Sequence, residues 1–369
     1  MSEELDALKK KIAEKQLPVL DSEPLTGAWY KVPVPDAVCA GGTPYYGYMR
    51  KGTEPNLIVC FSGGGVSVNN YTAARPIHWD SGDREAFYMD DKALPLLDIV
   101  TMNGLCSDNQ ENPFRNWSII AVNYVSGDFH VGQADFHYTD LEGSPAVLHH
   151  HGYLNYRGLM EQAIQHLPKP EKLLVTGDSA GAFATSALTS DVMSFFPECH
   201  DVTCCPDSCM LFFDDWQAAA RDVWQANERI WGPLQSSNIV LDWLRALYLE
   251  KGENIRYLFT CSTRDSELAK YQHYFSHGSQ QLVKEQNLQF ETDLKVMIDT
   301  LKAEIPSIGL FLFDFPNPDI DPALLGTQHT LIRSPRFSVP ASHGISLQQW
   351  MWEAVNGMVS DVGLELLNK

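Results

Sequence analysis

The feature that most constrains this chain is the stretch Lys172–Leu188, KLLVTGDSAGAFATSAL. An apolar run of strand type passes without a spacer through Gly177-Asp178-Ser179-Ala180-Gly181 into residues of helix type. A strand, a sharp turn and a helix in direct succession form the G-x-S-x-G elbow, which exposes a serine at the end of a parallel sheet. The turn leaves no room for side chains at 177 and 181, and it strains the serine so that Oγ points outward. The next amide, that of Ala180, then faces an incoming carbonyl from the positive end of the helix. The stretch therefore requires an α/β fold and offers Ser179 as a nucleophile.

The rest of the chain agrees with that demand. Leu57–Phe61, Trp117–Tyr124, Lys172–Thr176, Ile255–Cys261 and Gly309–Phe315 are short continuous apolar runs, which suits parallel strands covered on both faces. Helical patterns separate most of them, and Tyr153–Leu167 has helical spacing up to Pro168. Residues 123–151, rich in Gly, Asp, His and aromatics, read as a long irregular loop. The expected architecture is α/β-hydrolase-like: a doubly wound, mostly parallel sheet with helices on both faces. A surface helix is expected over residues 1–20, followed by one catalytic domain over 21–369. Within it, a helical insert is expected at about 214–250, carrying Trp216, Trp224, Trp231 and Trp243. Those tryptophans either pack the insert onto the core or line a cleft.

A serine nucleophile needs a second oxyanion donor, a base and an orienting acid. Ser62-Gly63-Gly64-Gly65 directly follows LIVCF, where an HGGG-type loop supplies the donor. The same glycines fail as a dinucleotide site, because Val66-Ser67-Val68 breaks the G-x-G-x-x-G spacing. In the order Ser, acid, His, Asp265 follows IRYLFTCSTR and is the expected acid, with Asp314 at the end of GLFLFDF as runner-up. His343, in SVPASHGISLQQW ahead of the last helical pattern, is the expected base.

Charge narrows the partners. With 27 basic and 47 acidic residues the net charge is −20, which disfavours nucleic acid and anionic membrane surfaces. No apolar run of about 18 residues offers a membrane span. The first twenty residues show no secretory pattern, so a cytoplasmic protein is expected. Of eight cysteines, four fall at C-x4-CC-x3-C between Cys199 and Cys209, which is not the paired spacing of a zinc ribbon. His149 and His151 would share a strand face, but no carboxylate or further histidine stands at ligand spacing nearby. A solvated loop is therefore expected there, and no metal or organic cofactor anywhere. Oligomeric state is not legible.

These residues resemble a known family, the pectin acetylesterases, which includes the animal Wnt deacylase Notum. Ala37-Val38-Cys39 with Gly41, Gly42 and Pro44 resembles the family segment AVCxDGSP, and Gly63–Gly65 its LEGGGWC loop. Gly177–Gly181 is similar to GCSAGG, Ser262–Ser266 to NSxYDSWQ, and Ser342-His343 to the family's C-terminal histidine segment. The resemblance implies a triad of Ser179, Asp265 and His343, with oxyanion amides from Gly64, Gly65 and Ala180. It also implies a serine esterase acting on O-acetyl groups of oligosaccharides or pectin through an acetyl-enzyme. The alternatives are a deacylase for longer acyl esters and a non-catalytic carbohydrate-binding relative. Ser62 stands where the family has Glu, Val66-Ser67 where it has Trp-Cys, Asp178 for the Cys beside the nucleophile, and Gly344 for the Cys after the base. The missing cysteines belong to extracellular disulfides, which agrees with a cytoplasmic chain.

Overall fold

The computed structural model describes residues 17–78, 84–95, 97 and 101–368. The helix expected over 1–20 therefore lies outside the described residues except for 17–20, where Val19 bridges Lys31. Strands β1 (Trp29–Val38), β2 (Pro44–Arg50), β3 (Asn56–Phe61) and β4 (Ser118–Val122) come first. A hairpin of β5 (Ala134–Thr139) and β6 (Pro145–His150) follows. Strands β7 (Lys172–Asp178), β8 (Asp201–Asp207), β9 (Arg256–Ser262) and β10 (Gly309–Phe313) complete the set that positions the site.

Eight of these form one sheet in the order β1-β2-β4-β3-β7-β8-β9-β10. The last six are mutually parallel, and β1 and β2 add an antiparallel edge. In the parallel strands nearly every residue is buried whichever way its side chain points, so both faces are covered. From β3 the chain steps one way to β4 and then back across to β7. Right-handed crossovers in opposite directions put the connecting segments on opposite faces. This is the doubly wound α/β architecture the sequence called for.

Helix α1 (Gly152–Ala163) precedes β7, and α2 (Ala180–Ser194) leaves its end to pack on β3, β7 and β8. Between β8 and β9 lie short helical turns and α3 (Ile239–Lys251), which packs on α2. Helices α4 (Ser266–His277) and α5 (Lys284–Glu304) follow β9, and α6 (Leu347–Val355) closes the chain after β10. Trp216, Trp224 and Trp243 are buried, and Phe129 stacks on Phe183 of α2 beside the first two. The insert's tryptophans thus pack the core.

One strand lies outside the apolar runs, and one expectation is corrected. Strand β8, DVTCCPD, contains Pro206, which cannot donate to a ladder. It is nevertheless paired on both sides, and its Cys204 and Cys205 are core residues. Residues 123–151 are not wholly irregular. Asp135, His137 and Thr139 are exposed while Phe136 and Tyr138 are half-buried, and this alternation makes β5 a strand of the hairpin.

Candidate active site

Ser179 stands between β7 and α2 with φ 54° and ψ −124°, a conformation costly for a residue with a Cβ. Its amide donates to Asp207 O (2.9 Å) on the neighbouring strand, and its carbonyl accepts from Ala182 N (2.8 Å), so the turn is held from both sides. The reason for glycine at 181 is visible: a Cβ there would lie 2.0 Å from the carbonyl oxygen of Phe61.

The loop after β3 runs beside this turn. Its carbonyls are turned outward and satisfied: Ser62 O accepts from His130 Nε2 (2.9 Å), Gly64 O from Met89 N (2.8 Å), and Gly65 O from Tyr124 Oη (2.9 Å). Among the described residues, the amides of Gly64 and Gly65 find no acceptor. The peptide plane between Gly64 and Gly65 turns its oxygen to Met89 N, so its N–H, that of Gly65, points the opposite way, as an oxyanion donor requires. Gly65 must be glycine, since its φ is 77° and a Cβ would lie 2.0 Å from Phe87 O. Burial holds His130 down at about pKa 4, so it is a neutral donor to the loop. From the insert, Trp224 Nε1 donates to Ser67 O (2.7 Å) and anchors the far end of the loop.

Asp265 is fully buried at the start of α4, where Oδ1 accepts from the amides of Glu267 (3.1 Å) and Leu268 (3.0 Å). Its Oδ2 accepts from Nδ1 of His329 at 2.7 Å. Since a carboxylate can only accept, Nδ1 carries the proton and Nε2 is left as the basic atom. Burial works against a charged His329, but the Asp265 carboxylate outweighs it and the imidazole is pushed up to about 9.

Two anchors fix the His329 segment. Thr327 N donates to Arg264 O (2.9 Å), and Ser266 Oγ donates to Thr327 O (3.0 Å). Beyond the histidine, buried Asp207 accepts from the amides of Leu331 (2.7 Å) and Ile332 (2.8 Å). Burial raises Asp207 to about 7, those two amides acting against the shift.

Ser179, His329 and the three glycines line one cleft of about 280 Å³. Ile77, Met89, Leu97 and Leu268 give it apolar walls. At its base Arg333 makes a bidentate pair with Asp178 (2.7 and 2.8 Å) and donates to Ser62 Oγ (2.9 Å). One guanidinium thereby ties the serine turn to the glycine loop. Burial alone would lower Arg333, but Asp178 more than offsets this and the side chain stays charged.

The structure thus brings together Ser179, Asp265, Gly64, Gly65 and Ala180, but not His343. His343 lies in a turn after the last strand, its side chain 67% exposed, with Nε2 3.2 Å from Glu365. Asp265 is bonded to His329 instead. His343 was expected in a loop between a late strand and the last helix; the last strand ends at Phe313, and the 3-10 turns Pro335–Ser338 and Ser342–Gly344 carry the chain past the cleft and leave that histidine at the surface. His329, in Gly326-Thr327-Gln328-His329, is the first histidine after that strand, which was the available signal. Asp314, the runner-up acid, is exposed beyond β10 and away from the cleft lining. Nothing local marks Arg333 or Asp207, whose partners lie more than a hundred residues away.

A serine turn at the carboxyl end of a central parallel strand, followed in sequence by an acid and a histidine, defines the α/β-hydrolase class. Residues 30–239 match the family model described as pectinacetylesterase, and the chain belongs to that family, whose members are ester hydrolases. Among solved structures it is similar to two crystal forms of the Wnt deacylase Notum from Drosophila. Their TM-scores are 0.60 and 0.57 at 15% and 13% identity, covering 90% and 89% of this chain and 95% and 94% of theirs. At that identity the likeness speaks for the fold. No curated protein sequence matches the chain.

Proposed function

We propose that the chain is a serine esterase that removes O-acetyl groups from carbohydrate, with Ser179 as nucleophile, His329 as base and Asp265 as its orienter. The observation that carries this reading is the 2.7 Å Asp265–His329 bond in the same cleft as the strained Ser179. Nε2 of His329 takes the proton of Ser179 Oγ as the oxygen attacks the ester carbonyl. Charge then develops on the carbonyl oxygen, opposite the amides of Gly64, Gly65 and Ala180. The imidazolium returns its proton to the departing sugar hydroxyl, and water activated by the same ring hydrolyses the acetyl-enzyme.

The family supports an acetylated carbohydrate, and the charge distribution favours a neutral one. Among the described residues lining the cleft, Arg333 is paired with Asp178, His329 with Asp265 and Glu267 with Lys270, which leaves no unpaired cation there on a chain of net charge −20. A polyanion is repelled by such a surface. Short neutral acetylated oligosaccharides should therefore release acetate faster than polymeric acetylated pectin at low salt, with the gap narrowing as salt screens the repulsion. Faster release from pectin at low salt would overturn the preference.

A second reading, deacylation of longer esters, draws support from the walls of Ile77, Met89, Leu97 and Leu268, and the Notum structures are named for a deacylase. Comparing p-nitrophenyl acetate with the octanoate ester separates the two; turnover of neither would favour a binding protein. We further propose a cytoplasmic, reducing setting, supported by eight cysteines that are all free and buried.

A further inference from the structure

The hairpin β5–β6 gathers three ligand-type side chains that the esterase chemistry does not use. His149 lies in β6 and His151 just past the end of that strand, and their rings stand 5.3 Å apart. The carboxylate that seemed missing arrives from the facing strand, because Asp135 is the direct ladder partner of His149. Asp135 Oδ1 lies 2.6 Å from His149 Nδ1 and 2.9 Å from His151 Nε2. The three donor atoms all fall within 4.8 Å of one another.

The backbone under them is fixed. His149 N donates to Ala40 O (3.0 Å), and the residue after His151 donates its amide to the buried Asp128 (2.8 Å). The side chains keep a solvent side, at 47% exposure for Asp135 and 24% and 21% for His149 and His151. Two imidazoles aimed at a single carboxylate oxygen is the donor geometry that a cation replaces with little movement. Zinc-class ions take N and O ligands at about 2.0–2.2 Å, so donor atoms spread by about 0.5 Å would enclose one.

We propose that Asp135, His149 and His151 form a binding site for a divalent transition metal of the zinc class, separate from the esterase centre. Two imidazoles and a carboxylate leave a fourth position for water, the composition of an open, exchangeable site rather than of a closed structural one. A bound ion would link both strands of the hairpin to the start of α1, which His151 precedes.

The test is zinc binding to the untagged, chelator-treated full chain, by competition against a chromophoric indicator, with Co²⁺ absorption as a report of coordination. One ion per chain is expected. His149→Gln and His151→Gln, which keep a polar group against Asp135, should each weaken binding at least about tenfold. His166→Gln, on another surface, should leave it unchanged. Far-UV circular dichroism confirms that the variants fold. Absence of saturable binding, or binding retained in the His149→Gln/His151→Gln chain, would overturn the proposal whatever the esterase assays show.

Discussion

The sharpest perturbation is to remove each of two histidines in turn. His329 sits in the cleft bonded to Asp265, whereas His343 is largely in solvent beside Glu365. If His329 is the base, His329→Ala removes proton transfer in both half-reactions and should lower kcat for p-nitrophenyl acetate by about 10⁴–10⁶. That loss corresponds to about 5–8 kcal/mol of transition-state stabilisation. The variant also leaves buried Asp265 without its imidazole while the amides of Glu267 and Leu268 remain, so stability should fall by at most about 3–5 kcal/mol. His329→Gln, whose amide can still donate to Asp265, separates the two effects: it should fold better than the alanine variant and be equally inactive. His343→Ala should keep activity within about twofold and stability within about 0.5 kcal/mol, as for a surface substitution. Chemical denaturation of all three variants accompanies the rate assay. Retention of a tenth of the rate by a folded His329 variant, or a collapse of activity in His343→Ala, would refute the assignment.

Further outcomes follow from the structure. Because Asp265 pushes His329 up to about 9, the base is protonated at neutral pH and kcat/KM should climb with an acid limb approaching that value. Asp265→Asn should lower the rate by about 10⁴ and move the limb downward, since burial is then opposed only by the weaker pull of Glu267 and Asp207; an unmoved limb would count against the pairing. By linkage, the pair's contribution to stability is complete below the unfolded histidine pKa and is lost as pH rises through about 9, which denaturation between neutral and alkaline pH should show. Arg333→Met should cost about 3–5 kcal/mol by stranding the Asp178 carboxylate, and adding Asp178→Ala should recover much of it; a double variant no more stable than the single would remove the clamp between turn and loop. Thiol titration in denaturant without reductant should find most of the eight cysteines reactive, and two or fewer would contradict a reducing compartment.

Those features whose causes are local in sequence were legible from it. The serine turn is written into seventeen consecutive residues, because the strand, the tight turn and the helix each leave their own composition there. The glycine loop after β3 and the acid after β9 follow the ends of apolar runs, so their places along the chain fix their places at the edge of the sheet. The tertiary structure alone decided which histidine the acid holds. His329 and His343 are both polar loop residues downstream of β10, and the difference between them is made by Thr327 stitched to the Asp265 segment and Asp207 gripping the amides of 331 and 332. It also decided that Arg333 binds Asp178 across 155 positions and that Asp135 meets His149 across a hairpin. Such contacts depend on the register of strands and on loop anchors far apart in the chain, and hydrogen bonds of that kind leave no periodicity or spacing in the sequence for a reader to find.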